Sequence, residues 1–164
     1  MKLETLRELF VQELQDLYSA ENMIIKALPK MMEKTASPDL RNALDQHLQQ
    51  TRGHVRRLDQ IFDQLPKVDR EDRKCKGMEG VIKEGEEIIK EDAEPEVRDA
   101  GIISAAQRVE HYEMAGYGTV RTYARLLGHT DWAQLLQQTL DEEKAADSIL
   151  NGCAERINLE AKAA

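Results

Sequence analysis

Four stretches of this chain carry apolar residues at alternating three- and four-residue spacings, and each is interrupted near its middle by polar side chains. The first reads Phe10, Leu14, Leu17, Glu21, Ile24, Leu28, Met31. The second reads Leu40, Leu44, His47, Thr51, His54, Leu58, Ile61, Leu65. The third reads Ile102, Ala106, Val109, Glu113, Gly116, Val120, Tyr123, Leu127, and the fourth Trp132, Leu136, Thr139, Glu143, Ala146, Leu150, Cys153, Ile157. Such a seam is the core-facing stripe of a helix in a bundle. A carboxylate in that stripe is costly to bury unless something compensates its charge. The pattern therefore calls for four packed helices and a partner for the acids where the seams break.

Helix punctuation gives the connectivity. The first helix spans about 2–34 and ends before Ser37-Pro38, because the residue preceding proline avoids the helical region. The second spans about 38–65 and stops at Pro66. The charged stretch 66–95 holds a shorter amphipathic piece, about 78–91, with Met78, Val81, Ile82, Ile88 and Ile89. Pro95 suits the first turn of a helix over about 96–127, and Gly128 is a natural stop. Thr130 or Asp131 can cap a last helix over about 131–160. Short links make each long pair an antiparallel hairpin, and the long middle link carries the chain back along the bundle. The expectation is an all-α, ferritin-like four-helix bundle over residues 1–164 as one domain. Two hairpins are joined by a crossover bearing a short extra helix.

With 31 acidic and 23 basic residues the net charge is −8. That excludes nucleic acid or an anionic membrane as the main partner and suits a protein that attracts cations. No run of 18 apolar residues occurs, so no membrane span is expected. The first residues, MKLETLRELF, are charged rather than leader-like. Cys75 and Cys153 form no C-x-x-C pair, which points to a reducing, cytoplasmic compartment.

Counting outward from the hairpin turns puts Glu21 level with about residue 52, and Glu113 level with about residue 146. Glu21, His54, Glu113, Glu143 and Asp147 thus lie within about 5 Å of a common height. Glu110 stands three residues before Glu113, on the same helix face. Such a cluster is the pattern of a carboxylate-bridged di-metal site. About four carboxylates would neutralise two divalent cations, and imidazole favours iron or manganese over magnesium or calcium. His47 lies seven residues from His54, about 10.5 Å along the axis, so both cannot serve one ion. It reads as a structural histidine. Gln50 flanks the seam as a weak ligand or a donor to one. His111 points away from the seam to the surface. Tyr18 and Tyr117, one turn from Glu21 and Glu113, read as core residues with tethered hydroxyls. Cys153 reads as inert. Cys75, among Arg73, Lys74 and Lys76, would favour its thiolate if exposed.

The stretches LQDLYSAENMIIKALPKM, HLQQTRGHVRRLDQIF, CKGMEG, EVRDAGIISAAQRVEHYEMAGYGT and DEEKAADSIL resemble the bacterial YciE/YciF ferritin-like family, nearest its YciF side, over nearly the whole chain. The resemblance implies a four-helix fold, a dimer, a di-metal centre related to that of rubrerythrin, and an association with bacterial stress responses. Glu110-x-x-Glu113 is similar to the third-helix E-x-x-E of that centre, and Glu21 to its first-helix glutamate. The usual E-x-x-H of the second and fourth helices is altered. Here those positions read Thr51-x-x-His54 and Glu143-x-x-Ala146, with Asp147 one place later.

Two readings follow. One is a metal protein with Fe(II) oxidation by dioxygen or peroxide at Glu21, His54, Glu110, Glu113, Glu143 and Asp147. The other is a structural or interaction protein whose buried carboxyls bond to His54, Tyr18 and Tyr117. Leu6, Leu9, Val11, Ile25, Val55, Phe62, Leu135, Leu140 and Ile149 lie off the seams, and a homodimer would cover those that the crossover does not.

Overall fold

Thr5 opens the first helix through a reciprocal cap. Its hydroxyl accepts from the Glu8 backbone N–H at 3.2 Å, and the Glu8 carboxylate accepts from the Thr5 N–H at 2.8 Å. This fixes α1 at Leu6–Lys34 in the computed structural model of the chain. The structure describes residues 3–65 and 67–164. The expected start at residue 2 and the expected stop at Pro66 lie outside the described residues. Residues 3–5 precede the helix because the capping box begins it at Leu6.

Ser37 and Pro38 open α2, Pro38–Phe62, which ends three residues short of expectation. There Gln64 and Leu65 bond back to Ile61 and Phe62, a tighter turn than the α-helix allows. The crossover helix α3, Lys76–Ile88, starts two residues early because the Cys75 sulfur accepts from the Met78 N–H at 3.3 Å. It stops early for the same reason as α2, with Lys90 and Glu91 bonded to Glu87 and Ile88. Helix α4 spans Pro95–Leu126 and α5 Thr130–Ala163. The residue capping α5 is His129, not Thr130 or Asp131. Gly128 takes a positive φ of 83° at this turn, and the His129 ring stacks on Trp132 at 3.6 Å. The helix runs three residues beyond the expected end, past the buried Ile157.

Helix α1 packs on α2 and α4, and α5 packs on α2 and α4, so the long helices form a square in the order α1, α2, α5, α4. Helix α3 lies against α1 and α4. Gly85 permits that approach: a Cβ there would meet the Met31 methyl at 2.6 Å and Ala105 at 3.3 Å. The architecture is the expected ferritin-like bundle with its crossover, and the described residues contain no strand. None of their helices is long and apolar enough to cross a membrane.

The seams bury as read, apart from the half-covered Cys153 on α5 and a slip on α4. On α4 the buried positions after Glu113 are Tyr117, Val120 and Ala124, while Gly116, Tyr123 and Leu127 are only partly covered. A helix drifts from a strict 3.5-residue repeat, and here the drift turns the next residue inward. Of the apolar residues off the seams, Val11, Phe62 and Leu140 are buried by the chain's own helices. Ile25 packs in the cluster that includes α3 residues Met78, Val81 and Ile82. Leu6, Leu9, Val55 and Leu135 stay half-covered, and Ile149 is exposed.

The apolar core falls into two clusters. One gathers Ile24, Leu28, Leu44, Met78, Ile102 and Leu150 towards the α1–α2 turn. The other gathers Phe10, Leu14, Leu58, Ile61, Tyr117 and Leu136 towards the opposite end. Asp99 of α4 closes the first end by accepting from the Ala36 and Ser37 backbone N–H groups at 3.0 and 2.7 Å. Asp99→Ala leaves both donors without that acceptor. It should lower the unfolding free energy by about 1–3 kcal/mol in urea titrations. A change below about 0.5 kcal/mol would mean that water replaces the carboxylate.

Candidate metal centre

Between the two apolar clusters lies a polar layer. Glu21 comes from α1, His47, Thr51 and His54 from α2, Glu110 and Glu113 from α4, and Thr139 and Glu143 from α5. All are buried. Each helix delivers its residues at three-, four- or seven-residue spacing, which keeps them on one face. The Thr51 hydroxyl is spent on the His47 carbonyl at 2.8 Å.

Two groups of ligand-type atoms emerge. His47, Glu110, Glu113 and Glu143 each offer one atom, all within 4.8 Å of one another. Glu21, His54 and Glu143 do the same, so Glu143 belongs to both groups. His54 Nδ1 lies 3.0 Å from Glu143 Oε1 and 3.3 Å from Glu21 Oε1. His47 Nε2 lies 3.2 Å from Glu110 Oε1, and its Nδ1 lies 3.9 Å from Glu143 Oε2. These contacts are close but not aligned as hydrogen bonds. Both His47 nitrogens, His54 Nδ1, both oxygens of Glu113 and Glu143, and one oxygen each of Glu21 and Glu110 have no hydrogen-bond partner. Around them, Tyr117 donates its hydroxyl to Glu21. The other nitrogen of His54 meets Glu142 at 2.9 Å, and Glu142 is gripped by both terminal nitrogens of Arg57.

Burial dominates the electrostatics. It pushes the Glu110 carboxyl up to about 8, helped by the charges of Glu21 and Asp147. It lifts Glu113 and Glu143 well above the usual carboxyl range, with the neighbouring acids adding to the shift. His47 is driven down to about 3 by burial and by His54, so its contact with Glu110 is that of a neutral imidazole, not an ion pair. For His54 burial acts downward, but the charges of Glu21, Glu113 and Glu142 outweigh it and raise the net value.

Of the residues singled out in the sequence, Glu21, His54, Glu110, Glu113 and Glu143 meet here. Asp147 is half-buried, outside both groups, bonded to Gln107 and Asn151 and 3.4 Å from His111. His111 is exposed, as its position predicts. Gln50 lines a gap of about 10 Å³ together with Gln46, His47, Glu110 and Ala146. Tyr117 touches the layer, whereas Tyr18 packs edge-on against Phe62. The His47 and His54 rings lie 6.4 Å apart between centroids, closer than the roughly 10.5 Å expected along the axis. His47, read from the sequence as structural, stands among the ligand-type atoms of one group and His54 among those of the other. His47 stands beside Ala146, where the fourth-helix histidine of the family pattern would be. Glu142 and Arg57 were not singled out. Arg57, three residues after His54 on the same face, carried the available signal. The condition for a Cys75 thiolate, exposure, is not met. The sulfur is wholly buried, 2.9 Å from an Asp16 carboxylate oxygen and 3.0 Å from the Tyr112 hydroxyl, and burial raises its pKa.

The donor set fits a pair of divalent cations. Four carboxylates balance four positive charges, the two imidazoles are borderline ligands suited to first-row metals, and the unpartnered atoms face one another.

Comparison with known proteins bears on the family and the fold. The model of a family described as a domain of unknown function, DUF892, matches residues 5–163. The curated protein YciF of Escherichia coli K12 is 42% identical over 154 residues, 94% of this chain and 93% of its own length. The crystal structure of the E. coli stress protein YciF superposes with a TM-score of 0.91 at 41% identity, covering 94% of this chain and 98% of that one. YcfI of Rhodopseudomonas palustris, provisionally described as a structural protein, gives a TM-score of 0.87 at 43% identity over 92% and 95% of the two chains.

The raised groups set a pH dependence for the metal-free protein. Between pH 6.5 and about 8, Glu110 holds a proton in the native state that the unfolded chain has released, and the raised His54 acts in the same direction above its ordinary 6.5. Stability must then fall as pH rises, by about 2 kcal/mol across that window for the Glu110 proton. His47 acts with the opposite sign, but only below its ordinary 6.5. Urea unfolding in the presence of a chelator should show this decline. A flat or rising profile would contradict the raised groups.

Proposed function

This chain belongs to the DUF892 family, and we propose that it is a stress-associated metal protein holding two iron or manganese ions in the polar layer of its bundle. The observation that carries the reading is the set of inward-facing carboxylate and imidazole atoms that have no protein partner. Leaving so many polar atoms unpaired in a dry interior would be very costly unless protons or cations occupy the gaps. The stress association comes from the description of the E. coli relative.

Glu110, Glu113 and His47 would hold one ion, Glu21 and His54 the other, with Glu143 facing both. A bound iron or manganese pair supplies redox chemistry towards a small oxidant such as dioxygen or peroxide. The chain's own part is to orient and to exclude. Tyr117 fixes one Glu21 oxygen, the two apolar clusters keep bulk water from the layer, and the gap beside Gln46 and Gln50 is about the size of one water. The two free cysteines accord with a cytoplasmic setting. The half-covered Leu6, Leu9, Val55 and Leu135 suit a closed two-fold dimer.

One observation favours a second reading, a structural protein without turnover. Helix α2 offers Thr51 where a bridging carboxylate would complete the family pattern, and protonated Glu110, Glu113 and Glu143 can sit in the layer without metal. Elemental analysis of the protein as isolated separates the two readings.

Anaerobic titration with Fe(II) or Mn(II) should show about two ions per chain. Glu113→Ala should weaken at least one of them roughly 10–100-fold, and His47→Ala should do the same for the ion on its side. Wild-type stoichiometry and affinity in both variants would defeat the assignment. In light scattering, a mass of about twice 18.7 kDa is expected, and a monomer would remove the dimer from the proposal.

A further inference from the structure

We propose that Glu142 is a positioning residue: it fixes the His54 ring with a proton on Nε2, so that Nδ1 is the nitrogen turned to Glu21 and Glu143. The metal reading enters only in the consequence of this, since the ring state is a property of the metal-free chain.

Glu142 Oε2 lies 2.9 Å from His54 Nε2. The same carboxylate accepts Arg57 Nη1 on Oε2 at 2.8 Å and Arg57 Nη2 on Oε1 at 2.6 Å. Arg57 Nη1 also donates to the Thr139 hydroxyl at 3.0 Å, which fixes the guanidinium plane. A guanidinium has only donors to offer, and a carboxylate paired with it by two bonds is ionised and has only acceptors. His54 Nε2 must therefore be the donor. On a ring buried in the bundle, the other nitrogen then carries whatever exchange of proton for cation takes place, and it lies against the atoms of Glu21 and Glu143. Glu142 itself joins neither ligand group and remains partly exposed on α5. It touches the ring from outside, across the α2–α5 contact.

The substitution Glu142→Leu is a sharp test because it removes the acceptor at Nε2. The acceptors facing the ring are then the carboxyl oxygens of Glu21 and Glu143, at Nδ1. The proton should move to Nδ1.

The experiment is side-chain nitrogen NMR on labelled, metal-free protein, at a pH high enough for the ring to carry a single proton, with the His54 signals identified by their loss in His54→Gln. The wild type should show Nε2 protonated, and Glu142→Leu should show the proton transferred to Nδ1. In parallel, Mn(II) titration should be about 10–100-fold weaker in Glu142→Leu than in wild type. An unchanged ring pattern in Glu142→Leu overturns the proposal, whatever Mn(II) does. If the variant does not fold, the wild type still decides, since an Nε2 without a proton is incompatible with a carboxylate partner. If the ring pattern switches as expected but neither protein binds Mn(II), the positioning role stands and the metal-binding proposal falls.

Discussion

Four glutamate carboxyls at one depth of a dry helix bundle cannot all stay charged without an opposite charge among them. Glu21, Glu110, Glu113 and Glu143 occupy that depth, and much of the structure is arranged around the problem. The apolar core divides into two clusters because the acids and their histidines take the middle. Each cluster is closed at its outer end by a polar device. Asp99 ties the α1–α2 turn, and Gln64 accepts from the Trp132 indole N–H at 3.1 Å.

Protons and cations are competing answers to the same deficit. Burial favours the neutral carboxyl, so metal-free Glu110, Glu113 and Glu143 lean towards protonation. A divalent ion removes that preference by supplying charge directly, and it does so at the cost of displaced protons. The arrangement around His54 is tuned differently. One nitrogen is committed to Glu142, which is itself committed to Arg57, so the ring keeps a fixed orientation whichever occupant the layer holds.

The bundle was legible in the chain because its signals are local and periodic. Seams at three- and four-residue spacing, Ser37-Pro38 and Gly128 place helices and turns without knowledge of tertiary contacts. The acids Glu21, Glu113 and Glu143 were legible because they violate their own seams. What escaped depends on cross-helix geometry. His47 reads as structural when one ion is imagined, and only the packing of α2 on α5, with the acids of α4 across the bundle, reveals a second group for it. Glu142 looks like one more acid on a charged face, since nothing in the sequence places Arg57 opposite it. The cluster of basic residues near Cys75 misled because charge along the chain says nothing of depth: Asp16 and Tyr112 enclose the sulfur from other helices.

The two hairpins divide the polar layer unequally. The first, α1 and α2, brings both histidines, Arg57 and a single acid of the layer; the second, α4 and α5, brings Glu110, Glu113, Glu143 and the acid that holds His54. Neither half contains a complete ligand group. Separated, the second half is a cluster of like charges best left in water, and the first is a pair of bases with little to face. Whatever occupies the layer therefore acts as a clasp between halves made in sequence. During synthesis the amino-terminal half emerges first and must wait through the whole crossover for its acidic complement. Helix α5 carries the carboxylate shared by both groups, so neither group is complete until that helix has joined the other three long ones.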